Sequence, residues 1–331
     1  MTGGAGYIGS TICSALQDEG YLPIVLDDLS TGSSEFAKSH RFYQGDISSR
    51  ELIRQIFADH PNIYCAIHCA AKVIVPDSVK NPHLYYRTNV AKSVEFFRNL
   101  VEVKCNKIIF SSSASVYKPS DNFLVDEDSI TDPKSPYART KFMVEMILRD
   151  YSSAYHLNSI SLRYFNPIGA DPLMRSGLLS LSPTHILRRL IEVARGRSDA
   201  FSIAGTNWPT RDGTAIRDYI HVWDLAQAHV KAIESFNQIK APQSGESGSY
   251  QVLNIGTGEG VTVKEFIEAF ELVYGHKIKK LSRKPRPGDV AGVYANPKLA
   301  NELLGWHAKS STPQAISDAL EWDNKRDNTP I

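Results

Sequence analysis

Thr2-Gly3-Gly4-Ala5-Gly6-Tyr7-Ile8-Gly9 stands almost at the start of the chain, and its reading decides the fold. Gly3, Gly6 and Gly9 recur at every third residue, and a helical apolar stripe through Ile12 and Leu16 follows, with Gly20 as its stop. Glycines let the backbone turn tightly and approach a pyrophosphate, which then rests on the free amides of a helix N-terminus. A glycine triplet alone is a weak signal. It gains weight from Pro23-Ile24-Val25-Leu26, a short apolar strand that ends at Asp27. A carboxylate at that distance past the last glycine binds the hydroxyls of an adenosine ribose and repels a 2′-phosphate, which favours NAD over NADP. The alternative for Asp27 is a turn residue after a strand.

Outward from this turn, strand and helix patterns alternate. Phe42-Tyr43-Gln44 leads into Gly45-Asp46-Ile47, and Ser48-Ser49-Arg50-Glu51 reads as a capping box for the next helix. Asp46 either accepts from an adenine amine or is a plain turn residue. Ile63–His68 is the next strand, ending in Ala70-Ala71, small enough for a cofactor to pass close. A long helical stripe runs from His83 to Val103, and Lys107–Phe110 is a further buried strand. This alternation predicts an α/β fold, a Rossmann-type doubly wound parallel sheet with helices on both faces and ligands at the carboxyl ends of its strands. Such a unit needs a strand before its glycine turn, and Met1 stands there. The expectation is that the natural protein begins a few residues earlier, with an apolar strand.

Two later stretches carry chemistry. Ser111-Ser112-Ser113-Ala114-Ser115-Val116-Tyr117 follows the Lys107–Phe110 strand. Ser135-Pro136-Tyr137-Ala138-Arg139-Thr140-Lys141 begins as an N-cap with proline in the first turn, and Met143, Val144, Ile147, Leu148 and Tyr151 continue a helical stripe. Tyr137 and Lys141 lie four residues apart, so a helix stacks them on one face. A free tyrosine has a pKa near ~10, and a neighbouring ammonium lowers it towards use as a base. Taken singly, the serine run is turn chemistry and the Tyr–Lys pair is incidental to an amphipathic helix. Their order behind the glycine turn and Asp27 reverses both readings and points the Ser111–Tyr117 run and the Tyr137–Lys141 pair to catalysis.

Composition bounds the rest. The 331 residues, 42% of them apolar, suffice for a sizeable core. A net charge of +1 with no basic run argues against nucleic acid or an anionic membrane as partner. No apolar run approaches ~20 residues, so no spanning helix is expected, and no signal peptide is recognisable. Cys13, Cys65, Cys69 and Cys105 are scattered rather than spaced as a disulfide framework. Cys65-Ala66-Ile67-His68-Cys69 lies in a strand without a second ligand cluster, so no metal site is expected. The chain reads as cytoplasmic.

The motifs together resemble the extended short-chain dehydrogenases/reductases, and within them the UDP-glucose 4-epimerase family. The likeness is carried by TGGAGYIGS at 2–10, VLDDLSTG at 25–32, GDI at 45–47, IHCAA at 67–71, SSSASVY at 111–117, SPYARTK at 135–141, LRYFNPIGA at 162–170, RDYIHVWDLA at 217–226 and PGD at 287–289. It implies NAD binding by Tyr7, Ile8, Asp27, Asp28, Asp46, Ile47, Thr88 and Phe165, beside the glycines and Ala70-Ala71, with Tyr137 and Lys141 also at the cofactor. It makes Ser113, Tyr137 and Lys141 the catalytic set, and places the sugar nucleotide on Asn166, its diphosphate on Arg217 and Arg286, and its uridine ribose on Asp289. Guanidinium forks suit phosphate oxygens in their own right. For Arg217, next to Asp218, the alternative is a structural ion pair. Val293 is implied to line the pocket beside the sugar's C2 substituent, where valine would admit an N-acetyl group. The family usually has valine where Met1 stands.

Some positions depart from the family. His185 replaces an asparagine on the uracil side, and Arg188 a proline. Lys118 stands for the usual glycine after Tyr117, and Val73 for a lysine carried by several members. The resemblance implies residues 1–167 as an NAD-binding domain and 168–331 as mainly a smaller α/β substrate-binding domain, with the Tyr250–Ile255 strand returning to the main sheet. The residue pattern beyond Pro167 itself suggests a helix over Pro183–Gly196 and a small separate sheet at Phe201–Ala204, and the resemblance implies a homodimer paired through the His83–Val103 and Pro136–Tyr155 helices. The implied activity is NAD-dependent C4 epimerisation of a UDP-hexose through a transient 4-keto sugar. A 4,6-dehydratase is disfavoured because Ala114 and Ser115 stand where its extra acid–base pair would be. A 4-epimerase of UDP-glucuronate or a UDP-pentose, and a non-catalytic NAD sensor on the same fold, remain the rival readings.

Overall fold

The computed structural model describes residues 1–179, 184–239, 248–285 and 289–328. Its main sheet has six strands: β1 (Ile24–Asp27), β2 (Arg41–Gln44), β3 (Ala66–His68), β4 (Lys107–Ser113), β5 (Asn158–Tyr164) and β6 (Tyr250–Ile255). All pair in parallel, in the spatial order β2-β1-β3-β4-β5-β6, with Thr2 bridging Leu26 of β1 and His68 of β3. Met1 and Thr2 supply the ladder in that central slot. Leu26 N donates to Met1 O at 2.8 Å, Thr2 N to Ile67 O at 2.9 Å and Cys69 N to Thr2 O at 3.1 Å.

Burial on both faces explains the near-continuous apolar strands. Helices Tyr7–Asp18 and Val222–Ser235 bring Ile12, Leu16, Leu225 and Val230 onto Ile67, Ile109, Ile160 and Leu253. On the other face Arg50–Asp59, Lys92–Glu102 and Pro136–Tyr155 bring Ile53, Phe97, Leu100, Val144 and Leu148 onto Ala66, Ile108 and Phe110. Ile108 and Ile109, adjacent in β4, thus enter opposite cores, as the two-residue period of a strand requires.

Local signals hold with informative exceptions. Ser135 caps the Pro136–Tyr155 helix, accepting from Ala138 N at 3.1 Å, and Thr262 with Glu265 forms a full capping box for the Val263–Tyr274 helix. The box expected from Ser48 to Glu51 does not form. Ser49 is the N-cap and accepts from Leu52 N, because Ser48 is drawn back to Asp46, whose Oδ1 accepts from both its amide and its hydroxyl. The long stripe from His83 to Val103 is divided into Pro82–Tyr85, a π-helical segment Tyr86–Ala91 and Lys92–Glu102. The β4 strand runs on through Ser113, so Ser111, Ser112 and Ser113 belong to the strand, and only Ser115 falls in the 3-10 turn Ala114–Val116 that follows it. The helix expected over Pro183–Gly196 spans Ile186–Ala194, with His185 as N-cap; Pro183 is outside the described residues.

After β5 the chain leaves the main sheet. Asn166–Ile168 pairs in parallel with Tyr219–His221, and Phe201–Ala204 with Lys280–Arg283. A third small sheet orders Val261–Thr262, Ile216–Arg217, Gly292–Ala295 and Leu124–Val125. A separate core of Leu190, Phe201, Tyr219, Phe266, Phe270 and Ile316 lies beneath these strands. Asp218 locks the parts together. Fully buried, it accepts from Thr257 N and Oγ1 at 2.8 Å each, Gly258 N at 3.0 Å and Ala295 N at 3.1 Å. Asp218→Ala would strand these donors, so we expect a loss of about 2–4 kcal/mol in unfolding free energy, read by urea denaturation.

Candidate active site

The parallel strands all deliver their carboxyl ends to one edge, and there a cleft of about 1460 Å³ opens between the main sheet and the smaller strands. Ligand sites of open α/β sheets occupy this position. Every described residue expected in the site lines this cleft except Val293.

At one end lies the glycine turn. Gly3 has φ +69°, and a Cβ added at Gly9 would stand 2.0 Å from Gly3 O, so neither position accepts a side chain. The Tyr7–Asp18 helix that follows has no side-chain cap, which leaves its first amides for an anion. Asp27 accepts from Ala5 N at 3.0 Å and Leu29 N at 2.9 Å, which aims its carboxylate at the turn, while burial pushes its pKa up. A glycine cradle, open helix amides and a fixed carboxylate are the donor set of an adenine dinucleotide, so these residues fit NAD. Asp46 combines both readings open to it. Its Oδ1 holds the Ser48 turn, its Oδ2 pairs with Lys92 Nζ at 2.5 Å, and it lines the cleft with Ile47.

The catalytic set sits midway. Ser113 ends β4, and Tyr137 and Lys141 stand one turn apart on the Pro136–Tyr155 helix, packed against that strand. Lys141 is 3% exposed and donates from Nζ to Ser111 O at 2.6 Å. Burial pulls its pKa down to about 8, against the opposing pull of Cys69 and Glu145. The expected net lowering of the Tyr137 pKa does not appear: burial raises it, a hydrogen bond with Ser113 acts the other way, and the Lys141 ammonium is directed to Ser111 O and over the Phe110 ring.

The far end is built by the smaller strands. Asn166 follows β5 and Phe165, and its amide donates to Asp218 O at 2.9 Å. His185 Nε2 lies 2.7 Å from Pro167 O; the carbonyl can only accept, so Nε2 carries the proton. Arg217 Nη1 donates to Ile216 O at 2.7 Å and Ala291 O at 2.9 Å, and Nη2 to Val290 O at 3.2 Å, which fixes the guanidinium beside Asp289. Asp218 is instead surrounded by backbone donors, and no ion pair between it and Arg217 is among the described contacts. Arg286 is outside the described residues. Val293 packs with Phe165, Val116 and Tyr117 in a small apolar cluster, as a β-branched strand residue does, and does not line the cleft. Among the departures, Arg188 is buried in an ion pair with Asp323.

Sequence reading missed Asn89. It sits in the π-helical segment beside Thr88, and its amide grips the Lys72 backbone in both directions, at 2.8 and 2.9 Å, while reaching Thr140 Oγ1 at 3.1 Å. It thereby ties the loop after β3 to the Tyr–Lys helix. No periodicity announces a π-turn; the only signal was a buried polar residue inside an apolar stripe.

Residues 1–256 match the NAD dependent epimerase/dehydratase family. The UDP-glucose 4-epimerase of Bacillus subtilis is 38% identical over 99% of this chain and 97% of its own, and that of Azospirillum brasilense 38% over 98% and 91%. Among solved structures, the UDP-glucose-4-epimerase of Stenotrophomonas maltophila with bound NAD and formylated UDP-arabinopyranose superposes with a TM-score of 0.92 at 33% identity, covering 99% of this chain and 98% of that one. The UDP-glucose 4-epimerase of Bifidobacterium longum, in complex with NAD+ and UDP, gives 0.90 at 32% identity over 99% and 98%. With a family match over most of its length and relatives over nearly all of it, the chain belongs to the NAD dependent epimerase/dehydratase family.

Proposed function

We propose that this protein is an NAD-dependent isomerase that epimerises C4 of a UDP-hexose, interconverting UDP-glucose and UDP-galactose. The observation that carries the reading is the convergence of Ser113, Tyr137 and Lys141 midway along one cleft, between a dinucleotide cradle and an arginine-bearing far end. Gly3, Gly6, Tyr7, Ile8, Gly9, Asp27, Asp28, Asp46, Ile47, Ala70, Ala71, Thr88 and Phe165 hold the cofactor, and Asn166, His185, Arg217, Arg286 and Asp289 the sugar nucleotide. Residues 1–167 form the cofactor domain and 168–331 mainly the substrate domain, with β6 returned to the first.

When bound, NAD supplies the acceptor and then the donor of the C4 hydride. Tyr137 takes the proton of the 4-hydroxyl, directly or through Ser113. Its pKa is raised by burial, so the reaction needs the cationic environment that Lys141 provides on the same helix face. Arg217, held by three carbonyls, keeps the diphosphate in place while the 4-keto sugar turns to present its other face. Tyr137 then returns a proton to the new hydroxyl. No net oxidation results.

The direct test is to incubate the protein separately with UDP-galactose, UDP-N-acetylgalactosamine and UDP-galacturonate and to resolve the products. Conversion of UDP-galactose to UDP-glucose without accumulating NADH is expected. No conversion of any of the three would defeat the reading. Tyr137→Phe should lower turnover about 10²–10⁴-fold while the purified protein keeps its NAD, measured on the denatured extract.

We also read the protein as a cytoplasmic homodimer. The Pro82–Tyr85 and Pro136–Tyr155 helices leave Leu84, Met146 and Tyr155 exposed, which suits pairing of these helices with those of a second copy. Sedimentation should show a dimer, and a concentration-independent monomer would count against it.

A further inference from the structure

Tyr137, Lys141 and Glu145 stand at successive four-residue steps along one stripe of the Pro136–Tyr155 helix. The reading above uses the first two. Glu145 is 3% exposed, and a carboxylate so buried is retained only with partners. Arg163 of β5 grips it as a fork, with Nε 3.0 Å from Oε1 and Nη2 2.7 Å from Oε2. Ser112 donates its hydroxyl to Oε1 at 2.5 Å. Ser112 lies between Ser111, whose carbonyl carries the Lys141 ammonium at 2.6 Å, and Ser113. The carboxylate is therefore bonded to the middle residue of the strand end whose two neighbours serve the reaction.

We propose that Glu145 is a positioning residue of this site: its carboxylate, braced by Arg163, holds the Ser111–Ser113 strand end against the Tyr–Lys helix and counterbalances the buried Lys141 ammonium. The proposal rests on the catalytic reading of Tyr137 and Lys141. Lys141 is faced by Tyr137 and Glu145 on its own helix and by His68 and Cys69 from the end of β3, while Arg163 of β5 is joined to it through Glu145; the β4 segment beside it offers only serines and Phe110. Burial keeps His68 and Cys69 in their neutral forms, which leaves Glu145, itself paired with Arg163, as the charge that supports the ammonium. Losing the carboxylate removes the favourable partner and unmasks Arg163. The ammonium then gives up its proton at lower pH.

Glu145→Gln keeps the shape and an acceptor for Ser112 and removes only the charge. In the holoenzyme, with UDP-galactose as substrate, the alkaline limb of the kcat profile should move about one unit to lower pH, with KM changed less than about twofold. Arg163→Met should move that limb the opposite way, and the double variant, which replaces the pair together, should return it to the wild-type position. Ser112→Ala should lower kcat with the limb in place. The ultraviolet titration of Tyr137, taken as the difference between each holoenzyme and its Tyr137→Phe counterpart, reads the same coupling without turnover. It keeps failure of the proposal distinct from failure of the functional reading, which would show as a wild-type protein that converts no UDP-sugar. If Glu145→Gln does not fold, the Arg163→Met limb and titration decide. Profiles and titrations that keep the wild-type midpoint in both charge variants, or a Ser112→Ala with unchanged kcat, would overturn the proposal.

Discussion

An ammonium group taken out of water is costly unless the protein returns most of what solvent supplied, and Lys141 sets that condition at the centre of this molecule. It is 3% exposed, and its Nζ meets a backbone carbonyl at 2.6 Å rather than a carboxylate. A carbonyl dipole satisfies one donor without neutralising the charge. The group stays cationic yet easily discharged, with its pKa drawn down to about 8. That balance requires β4 to reach Ser111 with its carbonyl turned to the Tyr–Lys helix, and requires the helix to begin near Ser135. The Ser135 cap, with Pro136 in the first turn, meets the second requirement, and the unbroken pairing of β4 with β5 through Ser113 meets the first.

The frame that makes this possible is polar as well as apolar. His68 lies in the core between Phe96, Phe97 and Phe110, with Nδ1 2.7 Å from Thr2 Oγ1 and Nε2 2.8 Å from Ser93 Oγ. Ser93 donates to Asn89 O at 2.7 Å, so its oxygen accepts from Nε2–H, and Nδ1 is left to accept from Thr2. Burial draws the His68 pKa down to about 3, so the ring is neutral and can play both roles. One chain of hydrogen bonds then connects the glycine turn, the end of β3 and the π-helical segment. Asn89 extends it to Lys72 and Thr140. Cofactor cradle and catalytic helix are registered to each other through the buried side chains of Thr2, His68, Ser93 and Asn89, which do not line the cleft.

What could be read from sequence was whatever depends on local periodicity. The glycine turn, Asp27 after its strand, the Ser135 cap and the small sheet at Phe201–Ala204 all have neighbours that enforce them, whereas the return of Tyr250–Ile255 to the main sheet was implied by the family resemblance. Reading failed where a distant partner decided between two local options. Ser48 and Ser49 are both good caps, and the Asp46 carboxylate, itself paired with Lys92, selected the second. The π-turn at Tyr86–Ala91 answers to Lys72 and Thr140, which are remote in sequence. Val293 was placed by resemblance at the sugar, but its strand turns it into the Phe165 cluster.

The far end of the cleft shows how short strands carry both support and function. From Ile216 to Tyr219 neighbouring side chains point in opposite senses. Arg217 reaches the cleft, and Asp218 turns inward to collect four hydrogen bonds from one loop and a strand. Arg217 would be a poor anchor if it were free to swing, because ordering a long side chain on binding costs rotamer entropy. Its three carbonyl partners meet that cost during folding. Two of these carbonyls belong to Val290 and Ala291, immediately after Asp289, so the guanidinium also holds the segment that brings this carboxylate to the cleft. A cation that organises its own strand edge can present charge to a diphosphate and remain in place while the sugar beyond it turns. Epimerisation without release demands that combination from this end of the site.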